Sequence, residues 1–148
     1  MAAGARITLD SVREIDLARD AARRLGTRAT IRFRLRPDYR DLEMTSEFAE
    51  DDVPIRAFAR TYKPGIPTVD LLEAGLAALG AEELDVSGVM AHLGRHHHDP
   101  AMWRGMVRGF VATLAELSAA WGGWRPREID LGGGFTSPRD PTGRALRR

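Results

Sequence analysis

Hydrophobic and polar positions along the chain fall into alternating stretches of two-residue and helical period. "RITLD", residues 6 to 10, is a short β-branched run that reads as a strand ending near Leu9. Ser11 then stands as an N-cap with Glu14 three residues on, the capping-box pattern. Val12, Ile15, Ala18, Ala22 and Leu25 recur at helical spacing, and Gly26 closes that helix in the C′ position. In "ATIRFRL" the alternation is strict: Ile31, Phe33 and Leu35 face one way, Arg32, Arg34 and Arg36 the other, until Pro37 stops the run. Residues 37 to 67 show no regular period and are acidic in the middle, which is long for a plain connection and points to a functional or mobile segment. "PTVDLLEAGLAALG" predicts a helix with Val69, Leu72, Leu76 and Leu79 on its buried stripe. "LDVSGVMA" predicts a strand, apolar enough to be buried on both faces. After the loop "HLGRHHHDP", Asp99 caps the next helix and Pro100 takes its first position. That helix carries Trp103, Met106, Val107, Phe110, Leu114 and Leu117 on one stripe and ends near Gly122. "REIDL" is the last strand, and Gly132, Gly133 and Gly134 follow it. The tail has no packing pattern, so residues 137–148 are expected to be disordered.

The order β-α-β-loop-α-β-α-β implies parallel strands joined by helical crossovers. Residues 1–148 therefore read as one α/β segment, either an open doubly wound sheet or part of an eight-stranded barrel. The glycine run favours the barrel. A dinucleotide-binding turn follows the first strand and opens a helix, whereas G-G-G-F follows the last strand here and no helix comes after it. A barrel also gathers loops and phosphate sites at the C-terminal ends of its strands. The fold expected is thus a partial (β/α)8 TIM-type barrel.

Composition narrows the chemistry. The 148 residues are 43% hydrophobic and 29% charged, the range of a globular domain. A net charge of +1 gives no electrostatic footprint for nucleic acid. With no cysteine, thiolate metal sites and cysteine nucleophiles are excluded. No apolar run is long enough for a membrane span, and "MAAGARITLD" lacks the apolar stretch of a leader, so the expectation is a soluble cytoplasmic protein. Lys63 is the only lysine.

Three groups of residues carry candidate chemistry. The glycines after the last strand are either a plain turn or a nest of bare N–H groups for an anion such as phosphate. The arginines of "IRFRLR" either line a barrel interior, near an anionic ligand, or cover an edge strand in water. His92, His96, His97 and His98 suggest a metal at first sight, but three are consecutive and no spaced carboxylate completes a ligand set. A polar loop over a site mouth is the better reading, with no metal.

Four pieces line up in order: "ITLDSVREI", "RFRLRPD", "VSGVMAHLG" and "EIDLGGGF". Together the chain resembles the pyridoxal-phosphate (PLP) decarboxylases of the alanine-racemase-like fold, the diaminopimelate, ornithine and arginine decarboxylase group, over about the fourth to seventh strands of the barrel. The resemblance implies that His92 stacks on the pyridine ring of PLP. It implies that Gly132, Gly133 and Gly134 wrap the phosphate, and that Arg34 faces the barrel interior. Arg95 stands where the family has a phosphate-contacting serine, and Arg36 where it has an asparagine before proline. The family's Schiff-base lysine strand and its "E-P-G-R" strand have no counterpart here. Lys63, in "KPG", matches a different segment and is not given that role. The resemblance thus implies the PLP-binding segment of an amino-acid decarboxylase, inactive as an isolated chain, that associates as a homodimer or through exposed barrel edges. The alternatives are a non-catalytic phosphate-binding or interaction protein of the same fold and, third, a histidine metal site.

Overall fold

The computed structural model describes residues 4–37, 64–92 and 100–133. Strand β1 (Ile7–Leu9) leads into helix α1 (Val12–Arg24), then β2 (Ala29–Arg36), the two-residue β3 (Ile66–Pro67), helix α2 (Thr68–Leu79), β4 (Leu84–Met90), helix α3 (Pro100–Ala120) and β5 (Glu128–Asp130). The expected boundaries hold to within about two residues, the usual play of helix and strand ends.

Local chemistry fixes the ends of α1. The Glu14 carboxylate accepts the Ser11 backbone N–H at 3.2 Å, the reciprocal half of a capping box. At the other end Gly26 adopts φ +56°, Thr27 N–H reaches Ala22 C=O at 3.0 Å, and Gly26 N–H reaches Arg23 C=O at 3.2 Å, which is a Schellman closure.

All strand pairs are parallel, and the spatial order β1-β2-β4-β5 follows chain order. A doubly wound sheet reverses direction at a switch point; this sheet does not. β3 pairs with the last two residues of β2, setting Leu35 against Ile66. This short strand lies in the stretch expected to be irregular, and two residues are too few to show a period.

Ala29, Ile31, Phe33 and Leu35 are all buried, and the inward residues of the three helices join them in one core. Phe33, Met106, Phe110 and Leu117 fill its centre. The core lies on one face of the sheet, and the arginines lie on the other. The architecture is therefore a segment of a singly wound α/β barrel, open at β1 and β5 among the described residues. β2 is central, so its arginines do not cover an edge.

Two expected faces are corrected. Val69, Leu72 and Leu76 are 72%, 42% and 52% exposed, and α2 instead buries Leu71, Gly75 and Ala78. The reason is Trp121: its ring lies so close over α2 that a Cβ at Gly75 would stand 2.1 Å from Cζ2, and its Nε1 donates to Leu72 C=O at 3.0 Å. A large ring selects the small-residue side of the helix. On α1, Val12 and Leu25 are exposed at the two ends, while Ile15, Ala18 and Ala22 carry the packing.

Candidate functional site

The second face of the sheet is built by register. Thr8 aligns with Arg32, Arg32 with Gly88, and Gly88 with Glu128; one row on, Arg34 aligns with Met90 and Met90 with Asp130. A bulge in β4 makes this possible. Ile31 pairs with Val86 and Arg32 with Gly88, so Ser87 is the extra residue. Val86 and Val89 then both reach the core although they are three apart. Ser87 is buried, and its single hydroxyl proton is shared between Ile31 C=O, at 3.1 Å, and the Glu128 carboxylate. Gly88 admits β5: a Cβ there would stand 2.2 Å from the Glu128 carbonyl oxygen.

Charges on this face are matched. Arg32 donates from Nε to Thr8 Oγ1 at 2.7 Å and pairs with Asp130 at 2.9 Å. Arg34 lies 3.4 Å from Asp10, Arg6 2.6 Å from Glu128, and Arg127 2.6 Å from Asp85. The Ser87 hydroxyl, with help from Arg6 and Arg32, holds the Glu128 carboxyl below its ordinary range against a desolvation effect of opposite sign. The Arg127 guanidinium does the same for Asp85 by hydrogen bonding. At the opposite end of the strands, Glu83 is lowered by its own backbone N–H and then by Arg23.

At the C-terminal ends of β4 and β5 the face narrows to a turn against a ring. Ala91 N–H donates to Asp130 C=O at 2.9 Å, which carries the pairing past the strand ends. His92 follows, half-buried. Gly132 has φ +73°, and a Cβ on it would lie 2.5 Å from His92 Nδ1. Only glycine fits at this contact, on conformation and on space. Gly132 N–H is held by Asp130 Oδ1 at 2.8 Å, a turn closed by a side chain. Gly133 is exposed, and a Cβ there would meet nothing within 4 Å.

His92 and Gly132 are thus brought into contact, Gly133 lies beside them in the open, and Arg34 sits on the same face near the strand ends. Among the described residues, Arg34 Nε is buried without a hydrogen-bond partner. Gly134, Arg95, His96, His97, His98, Asp99, Lys63 and the tail lie outside the described residues. Among the described residues no group of three or more His, Cys, Asp or Glu side chains is placed to hold a metal, and no helix is long and apolar enough to cross a membrane. Sequence reasoning passed over Asp130 and Glu128. Their signal was present in "EID": two acids spaced by two on a strand, the second of them two residues before a glycine.

No profile of a known protein family matches the chain, and no curated protein does. Solved structures do match, and they place the fold among decarboxylase and racemase barrels. Diaminopimelate decarboxylase from M. jannaschii superposes with a TM-score of 0.71 at 24% identity over 90% of this chain. Its complex with L-lysine gives 0.70 at 23% identity over the same share. Alanine racemase from Clostridium difficile 630 gives 0.58 at 11% identity over 84% of the chain. Alanine racemase from a D-cycloserine-producing Streptomyces lavendulae gives 0.56 at 18% over 84%. The chain spans 29% of the decarboxylase and 27% of each racemase. It has the fold of a part of these proteins, as the order of its motifs leads one to expect.

Proposed function

We propose that this chain is the cofactor-holding segment of a PLP-dependent amino-acid decarboxylase. The observation that carries the proposal is the contact between His92 and the positive-φ Gly132 at the C-terminal mouth of a barrel-type sheet. The residues present fit such a group. His92 offers a ring to stack on a pyridine. The open backbone at Gly133 lets a phosphate approach without a side chain in the way. Arg34 Nε is a buried donor with capacity left for an anion; by resemblance Gly134 belongs to the phosphate-wrapping glycines, and Arg95 stands in place of the family's phosphate-contacting serine. When bound, PLP supplies an electron sink for the carbanion left after carboxylate loss from a small amino-acid substrate. The part of this chain is to orient the ring and hold the phosphate, not to bind the cofactor covalently. Lys63 belongs to a turn segment by motif.

The test is to titrate PLP into the 148-residue chain and read the induced circular dichroism of its absorption band. Binding is expected to weaken with His92→Ala and to vanish with Gly133→Asp, which adds both bulk and like charge. Unchanged affinity in both variants, or no binding by the wild-type chain, refutes the proposal.

A second reading rests on the open sheet. Ile129 stands on the core-facing side of edge strand β5 yet is 50% exposed. Among the described residues no strand covers the outer edge of β5, and such an edge beside an apolar side chain favours strand-to-strand association. On this reading the chain is an interaction protein that self-associates or accepts a partner there. Sedimentation should then show an oligomer that Ile129→Lys dissociates, with no spectral response to PLP.

A further inference from the structure

The glycine turn does not hold itself in place. Gly132 has a conformation that any other residue would resist, but its own freedom gives it no reason to stay there. What fixes it is Asp130. One carboxylate oxygen, Oδ1, accepts the Gly132 N–H at 2.8 Å, and the other, Oδ2, meets Arg32 at 2.9 Å. Arg32 is in turn held by Thr8 Oγ1 at 2.7 Å. A continuous polar chain therefore runs from β1 through β2 to the end of β5, and it ends on the residue that packs against His92. From these distances we infer that Asp130 is the positioning residue of the site: it clamps the glycine turn against the His92 ring, and Arg32 sets the angle of its carboxylate.

The clamp has a consequence for anion binding. The Gly132 N–H is already committed, so any anion at this turn is held by donors further along the chain, and Asp130 acts on it only by fixing where those donors begin. This consequence rests on the cofactor reading; the clamp itself does not. Asp130 carries a negative charge close to the proposed phosphate, and its pairing with Arg32 offsets that repulsion.

Two readouts separate the two ideas. The first is amide hydrogen exchange at Gly132, together with the His92 ring resonances, in the ligand-free chain. The second is PLP affinity. Asp130→Ala should speed Gly132 exchange and shift the His92 resonances, and it should weaken PLP about tenfold, the scale of one lost charge-assisted bond. Asp130→Asn keeps an acceptor for the Gly132 N–H but turns its amide NH2 toward Arg32, so on both readouts it should fall between wild type and Asp130→Ala. Arg32→Gln leaves Asp130 in place and should give an intermediate effect; it serves if Asp130→Ala does not fold. Wild-type exchange at Gly132 in Asp130→Ala and Arg32→Gln overturns the clamp. Altered exchange and His92 resonances, in a chain whose wild type does not bind PLP, leave the clamp standing and remove the cofactor reading.

Discussion

Gly132 and Gly133 are neighbours of one type with opposite requirements. At Gly132 an added methyl meets His92 Nδ1 at 2.5 Å and the backbone is at positive φ, so both sterics and conformation oppose it. At Gly133 an added methyl meets nothing. Gly132→Ala is therefore expected to destabilise the chain by about 1–3 kcal/mol and to displace His92. Gly133→Ala should leave stability within about 0.5 kcal/mol of wild type, as substitutions away from packed features do. If the phosphate lies where the glycines suggest, it should still weaken PLP. Urea melts of the two variants, with PLP titration of the second, check this. Equal stability loss at both positions would mean that the His92 contact does not constrain the turn.

At the scale of elements, α2 shows how packing overrides pattern. Its large apolar side chains suggested one face, and its small residues lie on the face that is buried. Gly75→Ala tests the cause. Alanine raises helix propensity by about 1 kcal/mol. The added Cβ would stand 2.1 Å from a buried tryptophan ring, and overpacking of that kind costs typically about 1–3 kcal/mol. The second effect wins, so the variant should melt lower; a higher melting temperature would show that Trp121 moves freely. Period and capping made most elements legible: the strict alternation of β2, the Ser11–Glu14 box, and the stripe of α3 from Met106 to Leu117. Three features were not legible, each for a physical reason. The side of α2 that is buried depends on a ring supplied 46 residues later in the chain. The bulge at Ser87 shifts the strand period by one, and a Ser-Gly pair inside an apolar run only hints at it. At the site, His92 and the glycines were legible as types in an order. That the first glycine touches the ring, and that Asp130 holds it there, depends on strand register.

For the molecule as a whole, acid acts through a few paired carboxylates. Glu128, Asp85 and Glu83 are all held below their ordinary ranges. A carboxylate lowered in the folded state takes up protons more readily when the chain unfolds. Its contribution to stability is therefore fully present above the ordinary values of 4.5 for glutamate and 3.8 for aspartate, and is lost as pH falls through the folded values. Glu128 should dominate, because its main partner is the buried Ser87 hydroxyl, whereas the guanidinium partners of the other two, Arg127 and Arg23, are largely in water, where such pairs contribute little. The urea midpoint is expected to hold level from pH 7 to about 5 and to fall below that. In Glu128→Gln the fall should be shallower, whereas an equal slope would place the acid sensitivity elsewhere.

The chain-order sheet also bears on how this piece is made. β2 pairs with β1, β4 with β2, and β5 with β4, so each strand closes onto one that has already been synthesised. No strand has to wait beside an empty place for a later partner, as the first strand of a doubly wound sheet does. A growing polypeptide can therefore lay down this sheet step by step as it leaves the ribosome. On the growing side of the sheet, the edge exposed before β5 forms is the one the next strand will cover, which keeps that interval open to misassociation short.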